Sequence, residues 1–264
     1  MIQSIFITPL LNMLLFIGQY TIMVTRVFKM IVTGRFRWSQ LTPHLYEIGV
    51  RSIALVCLTG LAIGMVLSAQ SFFQLSDKGL TGATGIMVAK SMLVEIGPVL
   101  TSFMITGRVG AAICAELGSM RVTEQVDAMF SMGVHPYEYL VAPRYVSMAL
   151  MIPVLTIIAS ACGIFGGWFV ASNLYGMHSQ IFFAPIALHV SWYDIIANIL
   201  KSLVFGFLIV SIACFYGLNA KGGAAGVGRA TTSSVVTTYV SILAFNFLLT
   251  IFLNALYWYI FGFN

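Results

Sequence analysis

Apolar residues in this chain fall in long blocks separated by short polar intervals. Five blocks, at about 49–75, 84–113, 144–175, 193–218 and 235–261, reach the roughly 20 apolar residues a helix needs to cross a bilayer. The expected fold is therefore all-α and polytopic, with about five transmembrane helices. A sixth run, Ile5 to Val24, is weaker because Pro9, Asn12, Gly18 and Gln19 interrupt it, and Arg26 and Lys29 follow as anchors. It is expected as an interfacial or re-entrant helix. A cleaved signal peptide is disfavoured, since no positive n-region precedes the run and no small-residue cleavage site follows it. One domain over 1–264 is expected, with an interface helix in 1–34, a transmembrane core in 49–261 and a short helix outside the membrane in 116–131.

Within the blocks, the polar and small residues carry the information. Gly60-Leu-Ala-Ile-Gly64 and Gly163-Ile-Phe-Gly-Gly167 fit the small-residue pattern of close helix crossings, although Gly is also simply common in membrane helices. Glu95 and Lys201 are ionisable groups at membrane depth, where each costs on the order of 2.5–3.5 kcal/mol unless partnered or wet. At about 1.5 Å per residue, Glu95 lies roughly 15 Å and Lys201 roughly 10 Å into its span from the same side, so they can share one polar layer. Two readings stay open for the pair: a role on a transport path, or structural pairing of Glu95 with Lys90 or Lys201. Pro98 removes a backbone donor three residues after Glu95 and is expected to bend the helix or start a new segment. Pro153 is a weaker candidate for the same effect.

The polar interval after the second block has its own periodicity. Val122, Val126, Met129 and Phe130 recur at helical spacing while Glu124, Gln125 and Asp127 fall on other faces, which predicts one short amphipathic helix. Thr123 is expected to cap its start and Gly133 with Pro136 to end it. A Gly-rich run starts at Gly222, and Gly223 to Gly228 has the spacing of a phosphate-binding loop but not its chemistry: Arg229 stands where the Lys belongs and Ala230 where the metal-binding hydroxyl belongs. It is expected to be a flexible connection.

Composition and charge place these elements. With 59% apolar and 8% charged residues, the chain is far from the roughly 25% charged composition of soluble domains. The net charge of +5 suggests a nucleic-acid partner only if the basic residues cluster, and they are instead spread over the intervals between blocks. Arg26, Lys29, Arg35, Arg37, Arg51, Arg108, Arg121, Arg144, Lys221 and Arg229 all fall on one side of the expected topology, which the positive-inside rule makes cytoplasmic. Five spans then put the C-terminus outside. Cys57, Cys114, Cys162 and Cys214 lack metal-ligand spacing and read as packing residues. His44, His135, His178 and His189 lie near the interfaces and read as solvated surface groups, and no metal site or enzyme signature is present.

The run Glu95-Ile-Gly-Pro98, Gly107-Arg-Val-Gly110, Ala115-Glu-Leu-Gly118, Met120-Arg121 and Thr123-Glu-Gln125, with Lys201-Ser202 and Gly228-Arg-Ala-Thr-Thr232, closely resembles MlaE-type permeases. The likeness covers roughly residues 30–250. It implies the membrane subunit of an ABC transporter in the bacterial inner membrane that moves phospholipids to or from the outer envelope and maintains outer-membrane lipid asymmetry. The partners implied are a second copy of the chain, two ATPase subunits that bind ATP and Mg²⁺, a periplasmic hexamer of MCE-domain proteins and, in some members, a STAS-domain subunit. No cofactor is expected in this chain.

The resemblance also implies site residues. Glu116, Gly118, Met120, Arg121, Thr123, Glu124, Gln125 and Asp127 match a cytoplasmic coupling helix that sits in a cleft of the ATPase. Glu95 and Lys201 match the neighbourhood of an outward-open lipid cavity. Val94 departs from relatives that often carry a basic residue at this place, which weakens any grip on a lipid phosphate there. Leu67, Phe72, Phe73 and Leu75 are candidate acyl-chain contacts that core packing explains almost as well. The alternative function is a self-contained secondary transporter or channel using Glu95 and Lys201 as ion or proton sites. An intramembrane enzyme is disfavoured, since no nucleophile with a base can be named.

Overall fold

The computed structural model describes residues 2–34 and 38–262, so Arg35 and Arg37 lie outside the described residues. Among those described, the chain is all-helical. Eight helices follow in order: α1 (Ile2–Val32), α2 (Leu41–Ser76), α3 (Thr81–Val122), α4 (Gln125–Ser131), α5 (Tyr137–Asn173), α6 (Ser179–His189), α7 (Trp192–Leu218) and α8 (Gly223–Phe261). Five of these, α2, α3, α5, α7 and α8, are long and apolar enough to cross a membrane, and the chain is a multi-pass membrane protein. Short connections alternate the direction of the five, so α1 and α4 lie at one end of the bundle and α6 at the other.

Several boundaries differ from those expected. α1 passes through Pro9 and Gly18 as one unbroken helix, which removes the re-entrant reading. It buries Met23 and Val27, sets the Tyr20 ring edge-on to Phe215 at 5.7 Å, and leaves Ile22, Phe28 and Val32 exposed. The Gly-rich run is not a flexible connection: Gly222, at φ 87°, supplies the left-handed turn, and α8 begins at Gly223. The aromatic stretch after α5 contains α6, whose Phe182 is fully buried beside Val88 and Met92.

α7 is the most enclosed of the spans and α8 the least. A capping box starts α7, with the Ser191 N–H donating to Asp194 Oδ2 at 2.9 Å. Phe205, Ile209, Val210 and Cys214 then form the centre of the core against α3 and α5. The two GxxxG motifs pack on each other inside the chain. A Cβ at Gly64 would overlap the Gly163 carbonyl, and one at Gly60 would lie 2.5 Å from the Ala159 carbonyl oxygen, so α2 and α5 approach backbone to backbone. Hydroxyls inside the spans bond one turn back, as Ser102 does to Pro98 O at 2.7 Å and Thr156 to Ile152 O at 2.8 Å.

Candidate functional site

Pro98 sets the geometry around Glu95. Its missing N–H leaves the Val94 carbonyl without the usual helical donor, and α3 loosens into a π-type turn over Ser91–Ile96 before resuming at Gly97. Side chains from two other helices take up the carbonyls of this turn. Ser160 of α5 donates to Met92 O at 3.1 Å, Asn198 of α7 to Leu93 O at 2.6 Å, and Lys201 of α7 to Val94 O at 2.9 Å.

Lys201 is fully buried, and all three donors of its ammonium are used. Beyond Val94 O they reach Glu95 Oε1 at 2.7 Å and Thr250 Oγ1 at 2.8 Å. Glu95, its side chain 37% exposed, also accepts from Asn246 Nδ2 at 3.0 Å and from Thr250 Oγ1 at 2.8 Å, both on α8. The partner of Glu95 is therefore Lys201 rather than Lys90. The pair ties α3, α7 and α8 together beside a cavity of about 210 Å³ that Tyr193, Asp194 and Tyr257 also line. Leu67, Phe72, Phe73 and Leu75 do not join this cavity. Phe72 stacks on Tyr175 at 4.3 Å and Phe73 meets the same ring edge-on at 5.4 Å, while Leu67 packs with the cluster around Phe182.

At the other end of the bundle, residues 116–131 are not one helix. α3 continues to Val122, the chain turns at Thr123, and Glu124 adopts the left-handed conformation at φ 60° before α4 starts. Thr123 does not cap α4. Its hydroxyl donates back to Ser119 O at 2.8 Å, as a residue finishing α3 would. Arg121 and Asp127 form an ion pair across the turn. Gly133, at φ 74°, ends α4 as expected. Of the eight residues assigned to this segment, Glu116, Thr123, Glu124, Gln125 and Asp127 are exposed. Gly118 is buried against Val227 in the first turns of α8 and Ala220 in the connection before it, and Met120 packs on the core.

Two basic residues counted as interval charges are integral to the bundle. Arg144 on α5 is 2% exposed and pairs with Glu116 of α3 at 2.8 Å, and Arg108 donates to Ser52 Oγ across the α2–α3 contact. His44 is half-buried beside them rather than fully solvated.

Comparison with known proteins now bears on these sites. The family model described as Permease MlaE matches residues 41–252, a stretch that contains the Pro98 turn, the Glu95–Lys201 pair and the α3–α4 turn. The chain belongs to the MlaE permease family. Members are permease subunits of ABC transporters and are themselves non-catalytic. Among its relatives is a probable ABC transporter permease protein of Synechocystis sp., 38% identical over 225 residues, covering 85% of this chain and 86% of the relative. The intermembrane phospholipid transport system permease protein MlaE of Haemophilus influenzae is 36% identical over 211 residues, 80% of this chain and 81% of the relative. The chloroplastic protein trigalactosyldiacylglycerol 1 of Arabidopsis thaliana is 33% identical over 231 residues, 88% of this chain and 66% of the relative.

For this MlaE-family permease, sequence reasoning brought Glu95 and Lys201 into one layer but missed Asn246 and Thr250, which complete their bonding, and Ser160 and Asn198, which take up the neighbouring carbonyls of Met92 and Leu93. The available signal was Pro98: a proline inside a membrane helix obliges neighbouring helices to supply donors. Arg144 was missed for a different reason. It stands immediately after Pro143 at the edge of an apolar block, where an arginine ordinarily marks a loop.

Proposed function

We propose that this chain is the membrane subunit of an ATP-driven phospholipid transporter, working as two copies with two separate ATPase subunits that bind ATP and Mg²⁺. In this reading the α3–α4 turn is the coupling element, and closure of the ATPase pair tilts α3 so that a lipid held near Glu95 and Lys201 is displaced. The family match over residues 41–252 is the observation that carries it. Its named relative in Haemophilus influenzae is an intermembrane phospholipid transport permease, which supports phospholipid as the cargo. We place the chain in a bacterial inner membrane, with the α4 end cytoplasmic, the C-terminus periplasmic and a periplasmic MCE-domain hexamer above it. A STAS-domain subunit on the ATPase and maintenance of outer-membrane lipid asymmetry complete the proposal.

The exposed face of the turn gives the test. Glu124→Lys reverses an exposed charge that makes no ion pair or side-chain hydrogen bond among the described residues, whereas Asp127→Lys would also break the pair with Arg121. In the complex reconstituted with its ATPase, Glu124→Lys is expected to leave assembly and folding intact while lipid transfer per ATP falls severalfold. Unchanged transfer would remove the coupling assignment. Lipid movement by the chain alone under an ion gradient would instead favour a secondary transporter.

A further inference from the structure

The cluster around Arg144 is a second polar site, separate from the Glu95–Lys201 pair. A cavity of about 170 Å³ opens at the α4 end of the bundle, walled by the first turns of α2, by α3 and by the start of α5. Arg144 and Arg108 line it, with Glu47 and Glu116 at its edge, their side chains 58% and 59% exposed. Arg144 gives one nitrogen, Nη2, to Glu116, and among the described residues its Nε and Nη1 have no hydrogen-bond partner. A guanidinium buried with open donors is costly, and native structures rarely leave one so.

Charge matching indicates what fills it. Glu116 is matched by Arg144 and Glu47 lies 3.8 Å from Arg51, whereas among the described residues Arg108 bonds only to the neutral hydroxyl of Ser52. Counted with Arg51, which pairs with Glu47 from outside the cavity lining, the cluster carries one positive charge in excess, with planar donors on two arginines. Such forks suit the oxygens of a phosphate group. The volume is that of about five or six water molecules, enough for a phosphate group but not for a nucleotide or an acyl chain. Exposed Tyr46 and Trp38 stand beside it on the chain, the residue types that mark the headgroup level of a bilayer, and exposed Val50 and Ile53 continue along α2 into the apolar zone.

We propose that this cavity binds the phosphodiester of a phospholipid in the leaflet at the α4 end, gripped by Arg108 and Arg144, with its acyl chains lying along α2. The inference rests on the proposed function for placing the α4 end at headgroup level. It adds a headgroup site at the opposite end of the bundle from Glu95 and Lys201.

Native mass spectrometry of the full chain in detergent tests it, by titration with phosphatidylglycerol, with diacylglycerol of the same chains, and with inorganic phosphate as competitor. Arg108 is the residue to change, because Arg144 is buried enough that its loss would compromise folding. Phosphatidylglycerol but not diacylglycerol is expected to bind, Arg108→Gln to weaken binding about tenfold or more, and Arg108→Lys to keep most of it. Inorganic phosphate at millimolar concentration is expected not to displace the lipid. Equal binding by wild type and Arg108→Gln, equal binding of diacylglycerol, or displacement by inorganic phosphate would each overturn the site. The transport reading fails separately: Arg108-dependent binding without ATP-driven lipid transfer in the reconstituted complex removes that reading and leaves the headgroup site.

Discussion

Because Pro98 offers no N–H, the carbonyls a turn before it must find donors outside their own helix, and α7 supplies Asn198 and Lys201 three residues apart on one face. Lys201 is thus a helix-completing residue as well as the ion-pair partner of Glu95, the structural pairing that was one of the two readings the sequence left open. Two predictions follow at this scale. Lys201→Met orphans the Val94 carbonyl and leaves the Glu95 carboxylate without its counter-charge, and is expected to cost about 2 kcal/mol or more, with Asn198→Ala costing about 1–2 kcal/mol through Leu93 O. Thermal unfolding of the purified protein measures both, and wild-type melting of Lys201→Met would end the capping account. Pro98→Ala restores the N–H, so the cost of Lys201→Met should shrink in that background. A double-mutant cycle reads this coupling, and strict additivity would show that the lysine does not complete the helix. The acid, the lysine and the proline were visible in the sequence; their mutual dependence was not, because residues about a hundred positions apart supply the missing donors.

Among the elements, the turn between α3 and α4 was hidden by the regularity around it. Val126 is buried and Val122 half-buried, so the apolar spacing runs through a break that the backbone makes at Glu124. Nothing in that spacing distinguishes one helix from two, and a glutamate is not a residue that signals a left-handed conformation. Glu124→Gly is therefore expected to keep or raise stability by up to about 1–2 kcal/mol while removing the charge, and Glu124→Val to lower stability, since a β-branched side chain fits φ 60° poorly. Melting temperatures of the two variants separate backbone strain from charge; a Glu124→Gly protein that melts well below wild type would show that the side chain, not the conformation, holds the turn. The GxxxG motifs were legible as close-contact surfaces, but from the sequence their partner could equally have been a second chain. Their meeting within one chain, at Gly64 and Gly163, uses that surface inside the bundle and leaves α8 as the span most open to lipid or to another subunit.

On the scale of the whole molecule, the alternation of apolar blocks gave the number of spans, and the distribution of charges along the bundle supports the proposed orientation. Arg26, Lys29, Arg51, Arg121, Lys221 and Arg229 lie at the α4 end, while the connection between α2 and α3 at the other end offers Lys78 beside Asp77. The burial of Arg144 removes it as a freely solvated charge without altering this asymmetry, since the remaining basic residues still favour the same side. In the proposed orientation the α4 end faces the cytoplasm, where the exposed Glu124 and Gln125 would be open to an ATPase subunit. Single cysteines test this in a background with Cys57, Cys114, Cys162 and Cys214 replaced, all four being free thiols. In intact cells with a permeabilised outer membrane, a membrane-impermeant maleimide is expected to label Asp77→Cys. It should reach Gln125→Cys only after the inner membrane is opened. The reverse pattern would invert the topology, put the coupling turn where no ATP is available, and remove the physical basis for ATP-driven transport through this chain.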